Sequence, residues 1–352
     1  MNVLELKENI RKAVVNMFKT NMGLKPGETV LVVTDYPEKQ HWGTYDLSLL
    51  EDIVNRSMLA RTVYDIAKEE FKKNQVDFLV YPLTGRHGAE PPSYVGEEMS
   101  KYNVVIAITS YSLSHTNARE KATSSGARLA SMPGFTADMF LPDGPMAADY
   151  SWVSSFSRKI AEYLQGSKRI RVVTDYGTDI EFSVEGRKFD VDDGIYDKPG
   201  SWGNLPAGEV YIAPVEGSAN GRIVVLKGWY PRLEEDMTLY VENGLVVRIE
   251  GGGRVGDYFR ETLGLEPRVE DEVHLARRNI AEFGIGTNPK AKRPDNVLEA
   301  EKILGTIHIA IGDNSHFGGK VEADLHEDFI IPEPTVYVDG KQFMEKGKHL
   351  IA

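Results

Sequence analysis

The stretch GETVLVVTD, residues 27–35, decides the fold of the N-terminal part of the chain. It is a short, apolar, β-branched run after a Pro-Gly turn, and similar runs recur as FLVYPL (78–83) and NVVIAITS (103–110). The intervening segment 50–74 has helical periodicity. Continuous apolar strands that alternate with helices are typical of a mostly parallel sheet covered on both faces. We therefore predict an α/β domain over residues 1–166.

The pattern changes after Gly166 to that of β-hairpins. Residues 169–187 form two alternating segments around a Tyr-Gly turn, and residues 237–253 carry Asn-Gly between alternating segments. Residues 335–345 contain the equivalent Asp-Gly. Such dipeptides favour the tight turns of antiparallel hairpins. The sequence therefore predicts a β-rich, α+β domain over residues 167–352.

Composition restricts the chemistry that the chain can perform. A chain of 352 residues favours two domains, and it contains no cysteine. Thiolate zinc sites, iron–sulfur clusters and cysteine nucleophiles are thereby excluded, so any metal must be held by His, Asp or Glu. The formal net charge of −12 disfavours a nucleic-acid partner, because an acidic surface repels phosphate.

The sequence also predicts where the protein resides. The first 18 residues have the spacing of an amphipathic helix and not of a signal peptide. No apolar run approaches the roughly 18 residues that a membrane span requires. We therefore expect a cytoplasmic protein with no membrane partner.

Three of the eight histidines fall in one stretch, residues 305–329. Isoleucines alternate with Thr306, His308 and Ala310, so one face of this predicted strand is aliphatic and the other presents an imidazole. Further on, His326 and Asp328 are two residues apart. In a strand both side chains would point the same way and could reach one cation.

Two carboxylates upstream complete the set of candidate ligands. Glu282 lies within an apolar, glycine-rich segment, where a buried charge is costly unless a cation or a donor meets it. Glu209 begins another predicted strand. Taken singly, each of these residues could be an ordinary core histidine or a solvated strand end. Their occurrence together among glycine-rich turns indicates a His/carboxylate metal site in the C-terminal half.

Several blocks of this sequence resemble the leucyl aminopeptidase-like metallopeptidases typified by aminopeptidase T and aminopeptidase S. The blocks run through most of the chain and are LKPGETVLVV, HTNAREKATSSGARLASMPG, NLPAGEVYIAPVEGSANG, AEFGIGTNP, GTIHIAIGDN and LHEDF. The resemblance implies an α/β N-terminal domain, a β-rich C-terminal domain and a homodimer. It also implies hydrolysis of N-terminal residues from a peptide substrate by a water that two divalent ions (Zn, Co or Mn) activate.

Carried over by position, the metal ligands that the resemblance implies are Glu209, Glu282, His308, His326 and Asp328. Glu216, seven residues beyond Glu209, is the alternative should the block NLPAGEVYIAPVEGSANG be shifted. The chain has Ser315 where the family's peptidases have a tyrosine near the metals, and the adjacent His316 is the candidate to replace it in catalysis.

Two other functions remain open. The chain also resembles the 2,5-dihydroxypyridine ring-cleaving dioxygenases, which use a single Fe(II). The trio that would match their ligands is Glu282, His326 and Asp328, with Glu282 at a position where we align a histidine in those enzymes. A non-catalytic protein on the same scaffold is the third alternative. Of the remaining histidines, His87 lies in a polar N-terminal loop without an assigned role.

Overall fold

The computed structural model describes residues 3–351. The α-helices are α1 Val3–Asn16, α2 Leu47–Glu70, α3 Ser93–Met99, α4 Asn117–Ser124, α5 Tyr150–Leu164, α6 Gly253–Thr262, α7 Glu272–Arg277 and α8 Val297–Ala300. The strands are β1 Thr29–Tyr36, β2 Gln75–Pro82, β3 Val104–Thr109, β4 Arg128–Pro133, β5 Arg169–Val173, β6 Asp179–Ser183, β7 Asp190–Asp192, β8 Trp202–Asn204, β9 Glu209–Ile212, β10 Asn220–Val225, β11 Met237–Glu242, β12 Leu245–Gly251, β13 Ile280–Gly286, β14 Ile307–Gly312, β15 His326–Ile331, β16 Thr335–Val338, β17 Lys341–Glu345 and β18 Lys348–His349.

Contacts within the chain define two compact units. The first comprises residues 1–154 and 192–207, and the second residues 155–191 and 208–352. The domain boundary expected after Gly166 stays a prediction. Among residues 3–351 no helix is both long and apolar enough to cross a lipid bilayer.

The first unit is built on a five-stranded parallel sheet in the order β2-β1-β3-β4-β8. The alternation of β1 sorts its side chains onto two faces: Val30 and Val32 join one apolar cluster, while Leu31 and Val33 join another. Both faces are therefore covered, as the continuous apolar runs predicted. Asp46 caps α2 by accepting a hydrogen bond from the Leu49 backbone N–H at 2.8 Å.

The second unit contains two antiparallel sheets. One has eight strands in the order β12-β11-β10-β6-β5-β16-β17-β18, and the other five in the order β15-β14-β13-β9-β7. Side chains from both sheets form one apolar cluster, in which the rings of Phe182 and Phe283 are 5.4 Å apart. The small sheet thus buries one face against the large sheet, as in a sandwich.

The hairpins predicted from turn residues are confirmed. Asn243 and Gly244 join β11 to β12 with φ of 49° and 79°, and Asp339 and Gly340 join β16 to β17 with the same pair of angles. Positive φ at both central positions defines the turn whose twist matches paired strands. The predicted division into a parallel α/β part and an antiparallel β-rich part is therefore correct.

Candidate metal centre

The candidate centre lies on the face of the small sheet opposite its isoleucines. Register places the five predicted ligands on that face, and they are Glu209 on β9, Glu282 on β13, His308 on β14, and His326 and Asp328 on β15. Ile307, Ile309 and Ile311 point the other way into the apolar cluster. Because side chains alternate between the two faces of a strand, the candidate ligands lie on one face and the apolar core on the other.

The five side chains form two overlapping groups that could hold a metal ion. In one group, ligand atoms of Glu209, Glu282 and His308 lie within 4.8 Å of one another; in the other, those of Glu282, His326 and Asp328 do. His308 Nε2 is 3.2 Å from Glu282 Oε1 and 3.5 Å from Glu209 Oε2. His326 Nε2 is 3.4 Å from Glu282 Oε2 and 3.8 Å from Asp328 Oδ1. Glu282 belongs to both groups.

Small residues on the same face make room for these side chains. The positions paired with them or between them are Gly284, Gly286, Ala310 and Gly312. A Cβ on Gly284 would lie 2.0 Å from ring atoms of His308, which is closer than real Cβ contacts. The imidazole therefore lies directly over the backbone of the neighbouring strand, which only glycine permits.

The centre contains buried polar atoms without hydrogen-bond partners among the described residues. They are Glu209 Oε2, Asp328 Oδ1 and His308 Nδ1. Buried polar atoms in folded proteins are nearly always satisfied, and exceptions point to a function or to an unseen water or ion. Two of these three atoms are carboxylate oxygens, which are natural ligands for a cation.

Lys302 is a buried cation at this centre that sequence reasoning missed. Its Nζ lies 2.6 Å from Glu209 Oε1 and 2.6 Å from Glu301 Oε1, and its side chain is 1% exposed. In the sequence, Glu301 and Lys302 look like a surface charge pair beside α8. Their burial depends on the turn that leads into β14, and no local pattern reveals it.

The carboxylates control the protonation of the two imidazoles. Burial alone would raise the pKa of Glu282, but hydrogen bonds with His308 and His326 outweigh it and hold that pKa below its ordinary value. Burial would lower the pKa of each imidazole, but the carboxylates raise it to about 9 for His308 and about 10 for His326. The same carboxylates that attract these protons would attract a metal cation in their place.

Burial raises the pKa of Glu301 to about 8, against the opposing charge of Lys302. Part of the rise also comes from repulsion by Glu209 and Asp328. The carboxylates of this centre therefore repel one another, and a bound cation would relieve that repulsion.

The loop between β14 and β15 orients His326. The backbone carbonyl of Asp313 lies 2.8 Å from His326 Nδ1, and the ring of Phe317 packs edge-on against the imidazole with centroids 5.9 Å apart. A hydrogen bond at Nδ1 leaves Nε2 for a ligand, which is the usual arrangement of metal-binding histidines.

Two other predicted residues lie outside both groups. Glu216 accepts hydrogen bonds from the Asn314 side chain at 3.1 Å and the Lys320 backbone at 2.8 Å, and it pairs with Arg187. It therefore anchors the β14–β15 loop. His316 has a side chain that is 64% exposed and lies 4.0 Å from Asp313. Its role in catalysis stays a prediction.

Comparison with known proteins identifies the family. The model of the family NicX, 2,5-dihydroxypyridine 5,6-dioxygenase, matches residues 11–351. The chain is 25% identical over 198 residues to the 2,5-dihydroxypyridine 5,6-dioxygenase of Pseudomonas putida KT2440, in an alignment that covers 52% of this chain and 55% of that protein. The chain thus spans about half the length of the curated relative that it matches.

Two solved structures share the fold. The structure of 2,5-dihydroxypyridine dioxygenase from Pseudomonas putida KT2440 superposes with a TM-score of 0.71 at 17% identity, covering 100% of this chain and 99% of that one. Wild-type AmpT from Thermus thermophilus superposes with a TM-score of 0.63 at 15% identity, covering 98% and 100%. The aminopeptidase-like fold expected from the sequence is therefore correct.

The expected activity is wrong. The matching family is a dioxygenase, an oxidoreductase, and not a peptide hydrolase, so the aminopeptidase assignment and the peptide substrate are corrected. A centre of two Zn, Co or Mn ions is corrected with them, because it was inferred for a peptide hydrolase and the matching family is one of dioxygenases. The prediction failed because carboxylates and imidazoles on one scaffold suit several divalent metals and more than one reaction.

The match over residues 11–351 shows that this chain belongs to the 2,5-dihydroxypyridine 5,6-dioxygenase family.

Proposed function

We propose that the protein is a ring-cleaving dioxygenase that acts on a hydroxylated pyridine and uses a single Fe(II). The observation that carries this proposal is the group Glu282, His326 and Asp328, in a chain whose family model is that of a dioxygenase. This function is the alternative that the sequence left open.

The residues present fit a single iron ion. An imidazole and two carboxylates supply nitrogen and oxygen ligands of the kind that bind Fe(II) in oxygenases, although two histidines and one carboxylate are the commoner set. Asp328 Oδ1 accepts no hydrogen bond within residues 3–351, so a lone pair is available there. When bound, Fe(II) supplies the one-electron chemistry that allows dioxygen to react with an aromatic ring.

His308 is the side chain that we assign to proton transfer. It lies beside this trio and not within it, and its Nε2 faces both Glu282 Oε1 and Glu209 Oε2. A cation held by Glu282 and Asp328 would lower the pKa of His308 from its raised value, and a ring hydroxyl that loses its proton on binding could then pass it to His308 Nε2. Glu209, held by Lys302, would stabilise the resulting imidazolium.

Oxygen uptake tests the proposal. Protein loaded anaerobically with Fe(II) is mixed with 2,5-dihydroxypyridine, and dioxygen consumption and loss of the substrate's ultraviolet absorbance are followed together. We expect one dioxygen consumed per ring opened, with both atoms of ¹⁸O₂ recovered in the product. Zinc-loaded protein serves as the control and should be inactive. Absence of oxygen uptake with a panel of hydroxylated pyridines would refute the proposed activity.

We also propose the homodimer that the resemblance implied. Light scattering during size-exclusion chromatography should then give twice the mass of the chain, and a monomer mass at micromolar concentration would exclude it.

A further inference from the structure

The parallel sheet of the first unit has a topological switch point that carries none of the residues assigned to the metal centre. The chain passes from β1 to β2 on one side of the sheet, then returns to β3 on the other side of β1. The connections that follow β1 and β3 therefore leave in opposite directions. In open α/β sheets such a point, at the carboxyl ends of the strands, forms the crevice where ligands bind.

Asp35, near the end of β1, fixes the loop that follows β3. Its carboxylate accepts hydrogen bonds from the Ser110 backbone at 2.8 Å, the Ser110 hydroxyl at 3.0 Å and the Tyr111 backbone at 3.4 Å. The side chain of Asp35 is fully buried, so protein donors replace the water that would otherwise solvate the carboxylate. Asp35 is thus a structural support for the loop.

Arg56 reaches the same loop from α2. Its Nε donates to the Phe135 carbonyl at 3.2 Å and its Nη1 donates to the Ser110 hydroxyl at 2.9 Å. Within residues 3–351, Nη2 donates to no protein group and no carboxylate oxygen lies within 4.0 Å of the guanidinium. Burial lowers the pKa of Arg56, and the negative charges of Asp35 and Asp52 oppose this shift without reversing it.

His87 supplies a second donor from the loop after β2. Its Nδ1 accepts a hydrogen bond from the Ser112 backbone at 3.1 Å, so the neutral ring carries its proton on Nε2. In the described part of the chain that Nε2–H meets no acceptor. Desolvation and the nearby charge of Arg56 lower the pKa of His87, which keeps the ring neutral and Nε2 a donor near pH 7.

We propose that Arg56 and His87 form a binding site for a small oxyanion, a carboxylate or a phosphate, at the switch point of the first unit. The guanidinium and the imidazole are held by Ser110 and Ser112, which are two residues apart in one loop. A guanidinium with a free N–H and a second donor beside it match the several acceptor oxygens of such an anion. None of its residues belongs to the metal centre, and the inference does not rest on the proposed function.

Histidine-selective NMR of the full-length protein tests this site. The ring Cε1–H signal of His87 is assigned by its loss in His87→Gln, and sodium phosphate or sodium acetate is titrated at constant ionic strength set with sodium chloride. We expect a saturable shift of the His87 signal. Saturation with phosphate alone identifies a phosphate site, with acetate alone a carboxylate site, and with both a general oxyanion site.

Substitution at Arg56 gives the decisive comparison. Loss of a charged hydrogen-bonding partner should weaken the anion about tenfold or more in Arg56→Gln. Arg61→Gln is the matched control, since Arg61 lies on the same helix and pairs with Asp65 at its exposed surface. It should bind as wild type does.

Either of two results would overturn the site. One is a His87 signal that does not saturate with either anion, and the other is equal affinity in Arg56→Gln and wild type. Should Arg56→Gln fail to fold, Arg56→Lys and His87→Gln are compared by titration calorimetry. Unchanged affinity in both of these variants would equally reject the proposal.

Discussion

Asp35 and Glu282 are both carboxylates buried in strands of mostly apolar sheets, and they meet opposite kinds of partner. Asp35 is surrounded by backbone and hydroxyl donors, and burial raises its pKa despite hydrogen bonds from Ser110. Glu282 lies between the imidazoles of His308 and His326, and its pKa is lowered. The hydrogen-bond donors around Asp35 are backbone and hydroxyl groups, which do not give up their protons near neutral pH. The imidazoles around Glu282 can lose a proton and bind a metal ion instead.

The comparison shows which property identifies a metal centre in this protein. Burial does not, because Asp35 is the more buried of the two, at 0% exposure against 8% for Glu282. The useful property is the presence of ionisable neighbours together with unsatisfied oxygens, as at Asp328. Substitutions at the two carboxylates should therefore have different consequences.

Removal of Glu282 should have the largest effect on activity. Glu282→Ala removes a ligand atom common to both candidate groups, so we expect oxygen-dependent turnover to fall about a thousandfold or more, which corresponds to about 4 kcal/mol. Iron content, measured by inductively coupled plasma spectrometry, should fall with it.

Asp35→Asn is the matched substitution in the other sheet. It should cost about 1–2 kcal/mol of unfolding free energy, since an NH2 donor replaces one buried acceptor oxygen, while turnover per folded molecule is kept. If Glu282→Ala retains iron and activity, or if Asp35→Asn loses both, the contrast between the two carboxylates is wrong.

The next largest effect concerns the stability supplied by Lys302. Lys302→Met leaves Glu209 and Glu301 without their cation at 2.6 Å, and breaking a buried ion pair in this way costs about 3 kcal/mol or more. Urea denaturation measures the loss. The double variant Glu209→Gln/Lys302→Met should recover part of it, because it removes one uncompensated charge; strictly additive losses would show that the pair is not coupled.

Gly284→Ala tests the packing of His308 against the neighbouring strand. The added Cβ would lie 2.0 Å from the imidazole, so His308 must move, at a cost of about 2 kcal/mol. Oxygen uptake should fall by more than the lost fraction of folded protein accounts for. Gly43→Ala is the control, since a Cβ at that position meets no atom within 4 Å. Equal behaviour of the two variants would mean that His308 need not occupy its observed position.

His349 extends the comparison to imidazoles and should give the smallest effect. It packs against the rings of Phe156 and Phe343, and neither ring nitrogen has a hydrogen-bond partner among residues 3–351. Burial lowers its pKa from 6.5 to about 4. Between pH 4 and 6.5, His349 is therefore protonated to a greater extent in the unfolded chain than in the folded one. The stability that this neutral ring contributes is present above pH 6.5 and is lost as the pH falls.

We expect a loss of about 1 kcal/mol from pH 7 to pH 5 through His349, allowing for its partial exposure. Denaturation of wild type and His349→Phe over this range isolates the contribution of His349 to stability, because all other titratable groups are present in both proteins. The variant should be less sensitive to pH. Parallel profiles would show that His349 is protonated equally in the folded and unfolded states.

Much of the fold and of the candidate centre was predictable because the relevant signals are local. Period-two alternation separated His308 from the isoleucines, and Asn243-Gly244 and Asp339-Gly340 specified hairpins. The two-residue spacing of His326 and Asp328 placed both on one face of β15. Lys302 was missed because its burial depends on contacts distant in sequence, with Glu209 93 residues away.

The sequence by itself determined the two kinds of sheet and the exclusion of thiolate ligands, since these follow from periodicity, turn chemistry and composition. It also singled out five side chains that could hold a metal, through their residue types and spacing and through the resemblance to a known family. Only the tertiary structure decided that these side chains meet on four adjacent strands, that Lys302 is buried beside Glu209, and that Asp35 is satisfied while Asp328 is not. The physical reason is that charge compensation depends on distances through space, which strand register and packing set and which no local pattern contains.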